Sequence, residues 1–305
     1  MRILVTGGCG FIGGHLCHCL DSDGHGLVVL DDLSTGHREV LPASAEMRHG
    51  DVADPAACRA AMVDADACVH LAAIASVPLC QSDWARATDV NLKGGVNVFA
   101  AAAERGIPVV YASSAAVYGA GSEAPLRESD ADGRCPLSNY GADKRAAELH
   151  AAAAGHSADL KSTGLRFFNV FGPGQDPNSP YSGVITIFAR ALMAGQAPTI
   201  FGDGGQSRDF IHVADVVRAI RAALNRAATD APVFNVCTGR AVTLLTLYRT
   251  LAAVAGRHDL APDFGPPRPG DIRHSRGDPR AAESGLAFRA EIDLAYGLRD
   301  LLSQT

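Results

Sequence analysis

Short, continuously apolar runs alternate with stretches of helical spacing through the first half of the chain. Arg2–Val5 and Leu27–Leu30 read as strands, and Phe11–Leu20 between them carries its apolar residues at helical spacing. Further strands are predicted at Ala67–Leu71, Pro108–Ala112 and Gly164–Phe168. A long Ala/Val/Asn-rich helix at Trp84–Glu104 and an alanine-rich helix at Leu137–Ala153 separate them. Strands with no polar alternation are buried on both faces, and strands that alternate with helices build a parallel sheet covered on both sides. After Asn169 the texture changes. The segment FGPGQDPNSPYSG reads as loop and is followed by a helix at Val184–Ala194, a strand at Thr199–Phe201, a glycine-rich loop at Gly202–Gly205 and a helix from near Val213. A second breaker run, FGPPRPGD, occupies 264–271. The second half thus reads as a smaller α/β lobe interleaved with the first.

Composition adds bounds rather than detail. The 305 residues are 47% hydrophobic and 20% charged, which excludes general disorder, and a chain of this length tends to divide into two domains. Lys and Arg number 27 against 33 Asp and Glu, a formal charge of −6. That balance argues against nucleic acid or an anionic membrane as partner, since both need a basic face. Any anionic ligand must be met by a few placed arginines or by backbone N–H groups. No stretch approaches the roughly 18 apolar residues of a membrane span, and the run Ile3–Val5 is too short for a signal peptide. The cysteines at 9, 17, 19, 58, 68, 80, 135 and 237 have neither metal nor redox spacing, so no metal and a cytoplasmic location with reduced thiols are expected.

Chemistry enters with the glycines. Gly7, Gly10 and Gly13 follow the first strand directly and open the first helix. That context suits a turn whose backbone N–H groups approach a pyrophosphate at the positive end of the helix. Asp31 ends the second strand about 20 residues on, where a carboxylate accepts ribose hydroxyls and repels a 2′-phosphate. No Lys or Arg follows until Arg38, so NAD is favoured over NADP. Tyr140 and Lys144 are four residues apart on a predicted helix and share a face. An ammonium about 4 Å from a phenolate is worth roughly 4 kcal/mol at an effective dielectric near 20, enough to bring a tyrosine from about 10 toward neutrality as a general base. Ser114 follows a strand of the parallel sheet, where ligands bind, and its hydroxyl can bridge a substrate oxygen and Tyr140.

Six blocks then resemble one family over nearly the whole chain: TGGCGFIG (6–13), VHLAA (69–73), YASSAAVYG (111–119), YGADK (140–144), RFFNVFG (166–172) and RDFIHV (208–213). They are similar to the extended short-chain dehydrogenase/reductases, and within these to NAD-dependent nucleotide-sugar epimerases of the UDP-glucose and UDP-N-acetylglucosamine 4-epimerase type. The resemblance implies an α/β fold, a Rossmann-type doubly wound parallel sheet with a smaller interleaved C-terminal α/β substrate lobe. The NAD-binding domain would span 1–171, with a return segment near 212–236, and the UDP-sugar lobe 172–305. It selects Ser114, four residues before the Tyr of VYG, over Ser113. It implies a C4 hydride passed to NAD and back across a transient 4-keto sugar, with Tyr140 as base, Ser114 as proton bridge and Lys144 holding the nicotinamide ribose. Cofactor contacts are implied for Phe11, Ile12, Asp32, Ser34, Thr35 and Gly36 beside the glycines and Asp31. Asp51, Val52, Leu71, Ala72, Ala73, Asn91 and Phe167 complete that set.

On the substrate side the resemblance implies diphosphate contacts from Arg208 and Arg268, an amide ligand in Asn169, and a uridine pocket with Val184, Thr199 and Phe201. Ser76 and Ser114 belong to the sugar site, and Asp271 accepts a ribose hydroxyl or orients Arg268. Dehydratases of the family carry an Asp-Glu pair after the serine and decarboxylating relatives a Glu; here Ala115 and Ala116 follow, which favours epimerisation or simple oxidation and reduction. Relatives confined to glucose and galactose often have a bulky aromatic seven residues past the Arg268 position. Ser275 stands there and leaves room for a 2-acetamido group. The run PNSPYSGVI (177–185) resembles the N-acetylhexosamine epimerases and departs from them at Thr186, where they usually have Pro. UDP-GlcNAc/UDP-GalNAc, alongside UDP-Glc/UDP-Gal, is the expected substrate pair. Relatives also pair the helices at 84–104 and 137–153 into a homodimer bundle. A nucleotide-sugar 4-reductase or dehydrogenase, a uronic-acid or pentose epimerase, and a non-catalytic NAD sensor stay open as alternatives; intact Ser114, Tyr140 and Lys144 argue against the sensor.

Overall fold

Ile3 and Val5 are buried on one side of their strand and Leu4 on the other, all fully shielded from solvent, the two sides belonging to different core clusters. The same split recurs at Val29 against Val28 and Leu30, so the sheet has two apolar faces and must be covered twice. The computed structural model describes residues 1–175, 183–268 and 270–303. Within the 177–185 run, positions 177–182 lie outside the described residues.

The chain opens with β1 (Arg2–Thr6), α1 (Phe11–Ser22), β2 (Gly26–Asp31), β3 (Glu46–His49), α2 (Pro55–Ala61) and β4 (Ala67–His70). It continues through α3 (Val77–Ser82), α4 (Trp84–Thr88), α5 (Gly94–Arg105), β5 (Val109–Ser114), α6 (Asn139–Ala158) and β6 (Ser162–Phe167). The second half brings β7 (Asn169–Phe171), α7 (Val184–Met193), β8 (Thr199–Phe201), β9 (Ser207–Arg208), β10 (Phe210–His212), α8 (Val213–Leu224) and β11 (Val233–Val236). Last come β12 (Val242–Thr243), α9 (Leu244–Val254), β13 (Asp263–Gly265), β14 (His274–Ser275), α10 (Arg280–Leu286) and α11 (Leu294–Ser303).

Among the described residues, seven strands form the main sheet in the order β11-β6-β5-β4-β1-β2-β3, every neighbouring pair parallel. α1, α8 and α10 cover one face, and α2, α5 and α6 the other. The strand order reverses between β1 and β4, which sets the ligand crevice at the carboxyl ends of those strands. The expected doubly wound α/β fold is therefore the observed one. A second core, around Phe188, Leu192, Ile200, Leu247 and Leu251, sits under the short strands of the C-terminal half.

The long helix expected at Trp84–Glu104 runs to Arg105 but is not uniform. Asp89–Lys93 winds as a π-turn between α4 and α5. Such turns insert one residue into a helix and recur at functional sites.

A polar network crosses the core at the ligand end of the sheet. Arg166 of β6 donates Nε and Nη2 to the two carboxylate oxygens of Glu148 on α6, each at 2.8 Å, and both side chains are 2% exposed. Arg166 Nη1 donates to the Glu128 carbonyl at 2.7 Å and to the Tyr118 hydroxyl at 2.9 Å. Tyr118 in turn donates to Asn235 of β11 at 2.6 Å, and Ser113 of β5 donates to Glu148 at 2.5 Å. Burial pushes the Glu148 carboxyl up, but the Arg166 guanidinium outweighs it and holds the group below the usual carboxylate value. Removing one member of a buried pair strands the other charge. Arg166→Met is expected to cost about 3–5 kcal/mol of stability in urea unfolding, and the double change Arg166→Met/Glu148→Leu to recover most of it. A single-variant loss below about 1 kcal/mol, the worth of an exposed pair, would contradict this account.

Candidate active site

The glycine loop is shaped by backbone crowding. Gly7 has φ 72°, and a Cβ on it would lie 2.6 Å from the Ala72 nitrogen, so the turn rests on Leu71–Ala72. A Cβ on Gly13 would lie 2.2 Å from the Gly7 oxygen. Gly10 begins α1 with no side-chain cap, so the first amides of the helix, at Phe11 and Ile12, have no side-chain acceptor. A bare helix N-terminus behind a glycine cradle fits a dinucleotide pyrophosphate.

Asp31 is 8% exposed and braces that cradle. Its Oδ2 accepts from the Cys9 amide and its Oδ1 from the Leu33 amide, both at 2.9 Å. Each oxygen keeps a lone pair for a ribose hydroxyl. Leu33 is held at φ 56°, a left-handed conformation unusual for a branched side chain. Asp32 accepts from both the amide and the hydroxyl of Ser34. Thr35 is exposed in the same turn, and Gly36 closes it against Cys9, where a Cβ would lie 2.6 Å from the Cys9 oxygen.

Asp51 follows β3 and accepts from the Ala53 amide at 2.8 Å. The Val52 side chain instead turns into the core, 4% exposed, against Gly94. Ala73 adjoins the Leu71–Ala72 turn. Asn91, expected at the cofactor, sits in the π-turn with its amide engaged at both ends. Oδ1 accepts from the Ile74 amide at 2.8 Å and Nδ2 donates to the Ile74 carbonyl at 3.1 Å. The side chain thus pins the loop after β4 at Ile74. Phe167 ends β6 and is 9% exposed in the main core.

Ser114 is the last residue of β5, and its side chain lies within hydrogen-bonding reach of the Tyr140 phenol. Gly141 permits this approach: a Cβ there would lie 2.6 Å from the Ala116 carbonyl, in the turn that follows Ser114. Lys144 is 4% exposed and donates to the Ala112 carbonyl at 2.9 Å. Its Nζ lies 5.8 Å from the centre of the Tyr140 ring. The expected drop of the Tyr140 phenol toward neutrality is absent in the chain alone. Burial pushes it up to about 12 despite the Ser114 hydrogen bond. The shared helix face is real, but the ammonium is turned to β5 and both groups are desolvated. Burial likewise lowers Lys144 to about 8, against Asp143, Cys80 and Glu148, which favour its charge. His70, bonded to Thr6 at 2.7 Å, is driven to about 3 by burial and by Lys144, and packs as a neutral imidazole.

In the C-terminal half, Asn169 is exposed on β7, directly beyond the carboxyl end of β6. Arg208 on β9 donates to Asp271 at 2.5 Å and to the Ile272 carbonyl, so the carboxylate orients Arg208 rather than Arg268, the partner expected for it. Thr199 and Phe201 share one side of β8 while Ile200 is buried on the other. Gly265, paired with Phe201, leaves space for its ring, and the Arg268 guanidinium stacks 4.1 Å over the ring centre. Ser275 on β14 is 8% exposed and pairs with Arg208. Ser76 caps α3, accepting from the Leu79 amide at 3.3 Å, and Val184 begins α7, half-buried. Among the described residues no cluster of His, Cys, Asp or Glu could hold a metal, and no helix is long and apolar enough to cross a membrane.

The sequence reading missed four residues. Asp143, bonded to the Thr88 hydroxyl at 3.2 Å, and Glu148 lie with Tyr140 and Lys144 along α6; ionisable residues at helical spacing were the available signal. Asp209, fully buried, accepts from Thr238, Gly239 and Gly277 and so joins the loop after β11 to the segment before α10. Arg86 of α4 had no signal at all.

A family model described as the NAD dependent epimerase/dehydratase family matches residues 3–237. A UDP-glucose 4-epimerase of Mycolicibacterium smegmatis is 37% identical, across 98% of this chain and 96% of its own. The crystal structure of the Thermotoga maritima UDP-glucose 4-epimerase with UDP-glucose superposes with a TM-score of 0.94 at 33% identity, covering 100% of this chain and 98% of that one. A UDP-N-acetylglucosamine 4-epimerase from Methanobrevibacter ruminantium M1, in complex with UDP-N-acetylmuramic acid, gives 0.93 at 35% identity, covering 99% and 97%. The chain belongs to the NAD dependent epimerase/dehydratase family. NAD is accordingly its cofactor, and the bare end of α1 and the Asp31 carboxylate fit that dinucleotide.

A raised phenol keeps its proton beyond the ordinary tyrosine range. In the chain freed of nucleotide, the phenolate absorbance of wild type minus Tyr140→Phe should stay flat from neutral pH to about pH 10, where a free tyrosine half-titrates, and rise toward about 12. A transition near neutrality would show that Lys144 governs the phenol without the cofactor.

Proposed function

We propose that the protein is a UDP-sugar 4-epimerase acting on UDP-GlcNAc/UDP-GalNAc and also on UDP-Glc/UDP-Gal. The observation that carries this reading is the Ser114–Tyr140 contact at the carboxyl end of β5, followed by Ala115 and Ala116, which have no proton to give. A proton relay with no second acid or base suits reversible oxidation at one carbon and leaves elimination without a catalyst. The names of the relatives support the same chemistry.

In this mechanism Tyr140 takes the proton of the sugar 4-hydroxyl through Ser114 and returns it to the 4-oxygen after the flat 4-keto sugar has turned to present its other face for return of the hydride. Lys144 stabilises the phenolate and steadies the nicotinamide ribose. Bound NAD supplies the site that accepts and returns the C4 hydride and is regenerated in each cycle. Arg208 and Arg268 hold the diphosphate, Asn169 adds an amide, Asp271 keeps Arg208 oriented, and Val184, Thr199 and Phe201 shape the uridine pocket. We assign 1–171, with the return segment near 212–236, to the NAD-binding domain and 172–305 to the sugar lobe. We also assign a cytoplasmic homodimer, built on the α4 and α6 surface where Trp84 and Leu149 stand exposed.

Purified protein given UDP-GlcNAc or UDP-Glc without added cofactor should form the galacto epimers with no net NADH. Tyr140→Phe should lower kcat by about 10²–10⁴, the usual worth of a placed general base. Net NADH in step with product would favour the dehydrogenase reading, and near-normal turnover by the variant would remove Tyr140 from the mechanism. Ser275→Tyr should abolish turnover of the acetylated pair and spare UDP-Glc, measured as a ratio of kcat/KM values. An unchanged ratio would end Ser275's role as gate.

A further inference from the structure

We propose that Arg86 clamps the adenosine end of the cofactor, a role for which the glycine fingerprint makes no provision. Its Nη2 lies 2.6 Å from Asp51 Oδ2 and 3.7 Å from Asp32 Oδ2. These carboxylates stand just past the carboxyl ends of β3 and β2, which pair in register from Val28–Glu46 to Asp31–His49. One guanidinium, carried by a helix from the opposite side of the strand-order reversal, therefore crosses the mouth of the crevice that receives adenosine in doubly wound sheets.

Both ends of this bridge are held. The Asp83 side chain accepts from the Arg86 amide at 3.0 Å and so fixes the start of α4. Asp51 is fixed by the Ala53 amide, and Asn97 donates to the carbonyls of Val52 and Ala53 at 2.9 and 3.1 Å. Arg86 is 41% exposed, and half-exposed ion pairs add little to stability, so the bridge contributes more by its position than to the fold. A guanidinium is planar, stacks on aromatic faces and carries enough donors to serve a carboxylate and a ring together; an ammonium does not. Arg86 thus presents a flat cation to an adenine whose ribose is met by Asp31.

The proposal rests on the adenosine reading of Asp31 and Asp51. The test is calorimetric titration of the full nucleotide-free chain with ADP-ribose and with UDP, for wild type, Arg86→Ala, Arg86→Lys and Asp31→Ala, beside a urea midpoint for each. Arg86→Ala should raise the Kd of ADP-ribose about tenfold or more, a loss of about 1.4 kcal/mol or more. UDP affinity and the urea midpoint should stay at wild-type values, and Arg86→Lys should recover only part of the loss. A change below about twofold for ADP-ribose, or an equal loss for UDP with a fallen midpoint, overturns the clamp. If Asp31→Ala alone weakens ADP-ribose, the adenosine reading stands and the clamp falls; if neither variant weakens it, both fall.

Discussion

A guanidinium and a carboxylate enclosed together, as Arg166 and Glu148 are, set the positions of everything attached to them. Neither charge can be left alone in the core without a cost of several kcal/mol, so β6 and α6 cannot slide past each other by one residue. Ser113 bonds to the same carboxylate and passes that constraint to β5, one residue from Ser114. Glu148 lies one helical turn from Lys144, so the position of the lysine along the strand ends follows from the pair. Gly141 then settles how close α6 comes, since its missing side chain sets the separation from the turn after Ser114. The relative placement of Ser114, Tyr140 and Lys144 is decided in the core behind them.

Three arginines share a different trait. Arg208 is paired with Asp271, Arg86 with Asp51, and the neighbouring Arg273 with Asp203. An arginine held by a carboxylate keeps its direction, and a diphosphate with more charge and more acceptor oxygens competes for it without reordering a free side chain. The overall charge of −6 gives no hint of this arrangement. Near Tyr140 the situation is reversed. His70 is neutral there, so Lys144 is the cation available to the phenol, and its own charge is weakened by burial.

Where periodicity is strong, the sequence announces the structure. β1, β2, β5 and β6 and the helices α1 and α6 fall within a few residues of their predicted places, because buried parallel strands and long helices leave long apolar signatures. β3 was missed because EMRH carries three polar or charged residues on an edge strand. The two- and three-residue strands of the C-terminal half are too short for any period to show. Within the site, the glycine triplet, Asp31, Ser114, Tyr140 and Lys144 were visible because each belongs to a local spacing. Distance and direction were not: helical spacing puts Tyr140 and Lys144 on one face but does not show the lysine turned to the Ala112 carbonyl. Arg86 and Asp209 were invisible because their partners lie tens of residues away.

The π-turn at Asp89–Lys93 has one more consequence. An added residue rotates whatever follows by about 100° relative to an uninterrupted α-helix. The stretch from Trp84 to Arg105 is therefore one rod read in two phases. Its first segment aims Arg86 at the outer strand ends, and its second sets Val98 and Phe99 into the core. A single-residue deletion inside the turn would leave the rod helical yet bring the two phases into one, so that Arg86 and the Phe99 face could no longer both be served. Length here acts as an angular variable, and insertions or deletions in this helix act as changes of aim.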